Sequence, residues 1–172
     1  MEISQYRHIL GIANISFDMF SFELFCSTLL GNTLVLANEE EQKNLVAMSK
    51  LIQKQHVDFF VTTPSRVELL LIDECAPCLK EVKAILLGGE KVTGGLYHKL
   101  KLATDAKIYN SYGPTEATSA CTNKLVVSDD ITVGKPLSNM QVYICDANLN
   151  LVPIGVAGEI CVGGKRSCKR IF

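Results

Sequence analysis

No apolar run in this 172-residue chain reaches the roughly 18 residues that a membrane-spanning helix needs. The opening Met1-Glu2-Ile3-Ser4-Gln5-Tyr6 has no basic stretch leading into an apolar core, so it does not read as a secretory leader. Net charge is nearly absent, with 17 Lys and Arg against 18 Asp and Glu, giving -1. That balance gives no reason to expect nucleic acid or a membrane surface as partner, while a lone nucleotide needs only local positive groups. The three histidines, His8, His56 and His98, form no cluster, and satisfied or solvent-facing rings are the expected reading. No internal repeat and no low-complexity tract is visible. A second CxxC is also lacking. Cys75-Ala76-Pro77-Cys78 stands alone, whereas a zinc ribbon needs two pairs. It follows the helical-looking Val67–Ile72, not the strand that a thioredoxin-like site would follow.

Apolar residues make up 48% of the chain, enough for one domain with a proper core and incompatible with disorder. The seven cysteines, Cys26, Cys75, Cys78, Cys121, Cys145, Cys161 and Cys168, are odd in number, scattered and mostly set in apolar runs. They read as reduced core thiols of a cytoplasmic protein.

Along the chain, Asp18 is expected to cap a helix running to Leu30, with Phe22, Phe25, Cys26, Leu29 and Leu30 at helical spacing. Gly31-Asn32 ends it, and Thr33 to Ala37 reads as a buried strand. Glu39-Glu40-Glu41 precedes a helix of about three turns with Leu45, Met48, Leu51 and Ile52 on one face, and negative charge near that N-terminus suits the helix dipole. Val57 to Thr62 is a strand, and Thr63-Pro64 starts a helix with Thr as cap and Pro at the first position. Val82 to Leu87 is a strand ending in Gly88-Gly89-Glu90. Gly94-Gly95 opens a short helix, and Ala106 to Tyr109 is a further strand. This alternation predicts βαβ units around a mostly parallel sheet, an α/β fold. After Thr118 the helices stop. Lys124 to Val127, Gln141 to Cys145 and Glu159 to Val162 are short strand candidates separated by turn residues, which predicts a small antiparallel, barrel-like portion.

Ligands of α/β sheets bind at the carboxyl ends of strands. Three such ends carry unusual residues: Thr62-Thr63-Pro64-Ser65, Gly88-Gly89-Glu90 and Asn110 to Thr118. A pair of glycines often makes only a turn. Tyr112-Gly113-Pro114-Thr115-Glu116 is more specific, because it sets an aromatic ring, a backbone without Cβ, a rigid turn, a hydroxyl and a carboxylate within five positions. A ring stacks on a base, a glycine allows close approach, a hydroxyl donates to phosphate, and a carboxylate suits Mg²⁺.

This block resembles the Tyr-Gly-Pro-Thr-Glu signature of adenylate-forming enzymes, in particular the amino-acid adenylation domains of nonribosomal peptide synthetases. The resemblance extends in order through Ser16 to Phe25, Leu30 to Leu36, Thr63-Pro64-Ser65, Leu87 to Glu90, Val133-Gly134-Lys135-Pro136 and Val152 to Gly164. It implies the αβα subdomain of the adenylate-forming fold over residues 1–130, carrying the amino-acid pocket and half of the ATP site. Residues 131–164 would begin a small antiparallel β-barrel, and 165–172 form an atypical basic tail. The implied activity is ATP-dependent conversion of an amino acid to its aminoacyl-adenylate, with Mg²⁺, and with phosphopantetheine on a separate carrier domain.

Under the same resemblance, Asp18 pairs with the substrate α-ammonium, a role compatible with capping the helix. Met19, Phe22, Val61, Leu86, Gly88, Ser111, Ser119 and Ala120 line the side-chain pocket, which implies an uncharged side chain. Gly88, Gly89, Glu90, Asn110, Ser111, Tyr112, Gly113 and Thr115 hold the nucleotide, with Thr115 on the α-phosphate and Glu116 on Mg²⁺. Three family elements have no match: the Ser/Thr/Gly-rich phosphate loop, the Thr-Gly-Asp block for the ribose, and the C-terminal domain with its lysine. A fragment inactive by itself is therefore expected. The alternatives are carboxylate activation as in acyl-CoA ligases, against which Asp18 argues, and a non-enzymatic fragment that binds nucleotide or a partner chain.

Overall fold

The computed structural model describes residues 2–72, 74–117 and 119–164, together with the backbone of 169–170. Thr118 and the remainder of the basic tail lie outside the described residues. In chain order the elements are β1 (His8–Gly11), α1 (Asp18–Leu30), β2 (Thr33–Leu36), α2 (Glu39–Lys43), α3 (Leu45–Lys54) and β3 (Phe59–Thr62). There follow α4 (Pro64–Leu69), β4 (Ala84–Leu87), α5 (Gly94–Ala103), β5 (Lys107–Tyr112), β6 (Thr122–Leu125) and β7 (Lys135–Pro136). The chain continues into β8 (Met140–Cys145), β9 (Glu159–Gly164) and β10 (Lys169–Arg170).

Seven strands form one sheet in the order β2-β1-β3-β4-β5-β6-β7. The first five are parallel; β6 and β7 join antiparallel. The expected α/β class with a mostly parallel sheet is thus observed. Because strand side chains alternate, the sheet has two distinct faces. Leu10, Phe60, Ile85, Leu87 and Ile108 point to the larger core, where α3, α4 and α5 supply Met48, Ile52, Val67, Leu96 and Leu100, and Leu70 follows at the end of α4. Ile9, Phe59, Val61, Ala84, Leu86 and Tyr109 point the other way, against Met19, Phe22 and Cys26 of α1.

Local chemistry explains most boundaries. The Thr63 hydroxyl accepts from the Arg66 amide with Pro64 at the first helical position, as the sequence predicts. Gly31 ends α1 in the left-handed conformation, φ 75°, which costs a glycine nothing. Cys75 and Cys78 are buried in the larger core, and burial pushes the Cys78 thiol up to about 12.

Several expectations need correction. Asp18 does not cap α1: Phe17 holds the cap position and Asp18 is the first helical residue. Phe25, Leu29 and Leu30 are exposed, because α1 is apolar on all sides and only its Met19–Phe22–Cys26 side meets the sheet. Thr33–Leu36 is not a buried strand, since it is the sheet's edge with exposed ends. The three-turn helix is α3, as expected, but the acidic run ahead of it forms a short helix of its own, α2, separated from α3 at Asn44, whose side chain accepts from the Val46 and Ala47 amides. β1 has no counterpart in the sequence reading, yet it pairs with both β2 and β3. β5 runs on to Tyr112 because β6 folds back on it, with Ser111 opposite Asn123 and Tyr112 opposite Thr122. Residues 122–125 therefore belong to the main sheet, as do 135–136. The second sheet is an antiparallel β8–β9 hairpin with β10 along β9. Among the described residues the antiparallel portion outside the main sheet is this one sheet.

Candidate active site

Strand order places β1 between β2 and β3, so the chain leaves β1 in one direction and returns on its other side. A doubly wound sheet opens a crevice at such a reversal, outside the carboxyl ends of the strands. A cavity of about 600 Å³ lies there. It is lined by Ile12, Ala13 and Asn14 after β1, by Thr62 and Thr63 after β3, by Gly88 and Gly89 after β4, and by Ser111, Gly113, Thr115 and Ser119 from β5 onward. Asp18 and Met19 of α1 complete one side; Gln42, Lys43 and Arg66 form another.

A second cavity of about 510 Å³ adjoins it, lined by Gly89 to Val92, Asn110 to Pro114 and Ile131 to Val133. Gly89, Ser111 and Gly113 line both cavities. The two lobes thus meet at the middle of the Asn110–Pro114 segment.

The joint is held by short contacts. A Cβ on Gly113 would lie 2.5 Å from Ala120 Cα and 2.7 Å from the Cys121 nitrogen, so only glycine fits where the chain doubles back. The Cys121 amide donates to the Tyr112 carbonyl at 2.9 Å. Asn110 Nδ2 donates to the Thr132 carbonyl at 3.0 Å, fixing the far wall of the smaller lobe. The Ser111 hydroxyl donates to the Thr122 carbonyl at 3.3 Å.

Glu90 ties two of the loops together. Its carboxylate accepts from the Ser65 amide at 2.9 Å and the Ser65 hydroxyl at 2.7 Å. Those bonds hold its carboxyl below the usual range, since they favour the charged form. The β4 loop is thereby latched to the start of α4.

One buried carboxylate escaped the sequence reading. Glu23 of α1 is 0% exposed and borders the larger cavity. Its oxygens accept from the Ile12 and Ala13 amides at 3.4 and 3.3 Å. Burial raises it to about 7, opposed by those two amides and by the Arg66 charge. Arg66 is itself lowered by burial and donates to the Gln42 carbonyl at 2.7 Å. The spacing Met19–Glu23–Cys26 put Glu23 on the helix face that Met19 and Cys26 bury, which was the available signal.

Most of the sequence-derived residues come together here. Asp18, Met19, Val61, Gly88, Gly89, Ser111, Gly113, Thr115 and Ser119 line the larger lobe. Gly89, Glu90, Asn110, Ser111, Tyr112 and Gly113 line the smaller. Phe22 and Leu86 instead pack in the smaller core beside the cavity, Ala120 sits under Gly113, and Glu116 is exposed on the turn just after Thr115.

Fold and site together define a nucleotide-sized double cavity at the switch point of a doubly wound sheet. Residues 2–171 match the family model for AMP-binding enzyme, and the chain belongs to that family. It is 37% identical over 159 residues to Gramicidin S synthase 2 of Aneurinibacillus migulanus, covering 91% of this chain and 4% of that protein. The chain thus spans a small part of the curated relatives it matches. Among solved structures it resembles the nonribosomal peptide synthetase FmoA3 (TM-score 0.87, 21% identity, 95% of this chain and 18% of that one). It also resembles the four-domain nonribosomal peptide synthetase holo-AB3403, solved with AMP and glycine (TM-score 0.83, 28% identity, 92% and 12%).

Proposed function

We propose that the chain is part of an adenylation domain that activates an amino acid for nonribosomal peptide synthesis. In that reaction a carboxylate oxygen attacks the α-phosphorus of ATP. The bond from that phosphorus to the bridging oxygen breaks, and pyrophosphate leaves. The observation that carries the reading is the pair of cavities sharing Gly89, Ser111 and Gly113. An aminoacyl-adenylate has two ends joined at one phosphate, and the double cavity has two lobes joined at one segment.

In this reading the adenine occupies the smaller lobe, with Tyr112 stacking on it and Asn110 and Ser111 at its edge. The amino acid occupies the larger lobe, where Asp18 faces its ammonium. A buried cation needs such a partner. Met19, Val61, Gly88, Ser111 and Ser119 surround the side chain, and Phe22, Leu86 and Ala120 support them from behind. No acidic or basic group lies among those positions, which favours an uncharged side chain. Thr115 meets the α-phosphate at the junction.

Mg²⁺ commonly takes one or two carboxylates plus phosphate oxygens and water. Glu116 fits that pattern, being an exposed carboxylate one residue beyond Thr115. It would hold the ion, which offsets charge at the phosphates. The chain's own contribution is positioning and charge stabilisation. The α/β part carries the amino-acid pocket and half of the ATP site, and the β8–β9 hairpin begins a second, barrel-like part. The partner would be a carrier domain bearing phosphopantetheine.

Calorimetric titration tests the assignment. The chain is titrated with AMP and with sulfamoyladenosines bearing alanyl, valyl, leucyl and phenylalanyl groups. At least one aminoacyl compound is expected to bind more tightly than AMP, with one-to-one stoichiometry. Equal or absent binding across the set would refute the reading.

A further inference from the structure

We propose that Glu23 is a positioning residue for the ammonium site, holding the β1–α1 turn so that Asp18 faces the larger cavity. The inference rests on the function proposed above and adds a residue to it. Glu23 lies five positions beyond Asp18 on the same helix, and its carboxylate reaches back to accept from the amides of Ile12 and Ala13, just past β1. Among the described residues, the other hydrogen bonds of the intervening turn are local. The Phe17 amide donates to the Asn14 carbonyl at 2.9 Å, and the Ser16 amide donates to Asn14 Oδ1 at 2.9 Å.

A fully buried carboxylate costs more to desolvate than a neutral group, so a role confined to filling space would be served better by an apolar side chain. What the carboxylate supplies is two acceptor oxygens, one for each of two successive amides. Glutamine supplies one oxygen and turns an N–H₂ group toward the second amide. Alanine supplies neither. Two amides then lose their acceptors, and the strand end is no longer fastened to the helix that carries Asp18. Glu23 touches no substrate in this arrangement; it acts through Asp18.

The readout is the preference for an amine. The full chain is titrated with leucyl-sulfamoyladenosine and with its des-amino counterpart, which differs only in lacking the ammonium. The unsubstituted chain should prefer the amine about tenfold or more, the scale of one charge-assisted hydrogen bond. Glu23→Ala should bring that preference close to one while leaving AMP affinity within about twofold, and Glu23→Gln should fall between. If Glu23→Ala does not fold, Glu23→Gln decides: at least a threefold loss of preference supports the proposal, and none overturns it. A preference retained in both variants overturns this inference and leaves the proposed function standing. An unsubstituted chain without any preference overturns both.

Discussion

Burial lifts the carboxyl of Glu23 from an ordinary 4.5 to about 7. Between those values the folded chain keeps a proton that the unfolded chain has released, so stability falls as pH rises across that window and levels off above it. A shift of that size corresponds to a few kcal/mol at most, at about 1.4 kcal/mol per unit. Thermal unfolding from pH 5 to pH 8 should therefore show a downward slope that Glu23→Gln removes, and a variant with the parent slope would contradict the assignment. Asp18→Ala should weaken an aminoacyl-sulfamoyladenosine more than AMP, because it removes the partner of a buried charge. Equal weakening of both would point to a mere loss of fold. Gly113→Ala must move the Ala120–Cys121 backbone that passes 2.5 to 2.7 Å from the new Cβ. Overpacking of this kind costs about 1–3 kcal/mol, to be read from urea denaturation together with weaker AMP binding. Gly113 and its neighbours were legible because Tyr112 to Glu116 sets distinctive chemistry in one short segment, and Asp18 because Ser16 to Phe25 carries a second recognisable block. Glu23 was not, because a carboxylate in an apolar helix looks like a solvated position until a strand end is folded against it.

At the level of elements, the strands β3, β4 and β5 and the helix starts at Thr63 and Gly94 follow from local signals: apolar β-rich runs, cap residues, Pro and Gly. β1 was hidden because it is four residues long and ends in a glycine. Leu36 lies 2.9 Å from where a Cβ on Gly11 would stand, so the missing side chain makes sense only once β2 is alongside. The separation of α2 from α3 at Asn44 was hidden because helical periodicity runs through it, and only the cap to Val46 and Ala47 shows where α3 starts. The pairing of β6 and β7 with the main sheet is long-range and leaves no local mark. The Thr63 cap makes an element-scale prediction. Thr63→Ala should cost about 1 kcal/mol and should loosen Ser65 from Glu90. Because Ser65 depresses the Glu90 carboxyl, the latch stabilises above the ordinary carboxylate pKa and is lost as pH falls through the folded value. Carbon-detected NMR titration of Glu90 should show its pKa return toward normal in Thr63→Ala or Ser65→Ala, and an unchanged value would remove the latch from the account.

For the whole molecule, one face of the sheet is covered by α3, α4 and α5 and the other by α1 with Ile3 and Tyr6 ahead of β1, while Ile15, Phe17, Phe25, Leu29 and Leu36 are exposed. Exposed apolar surface promotes association, so sedimentation of the 172-residue polypeptide should show self-association that Phe25→Lys with Leu29→Glu reduces. The central claim is that the two lobes are one site joined at Gly89, Ser111 and Gly113. A crystal structure of the chain with the tightest aminoacyl-sulfamoyladenosine tests it most directly. The adenine is expected in the lobe lined by Asn110, Tyr112 and Thr132, the sulfamoyl group beside Gly113 and Thr115, and the amine facing Asp18. A ligand lying wholly in one lobe, or with its adenine beside Asp18, would contradict it.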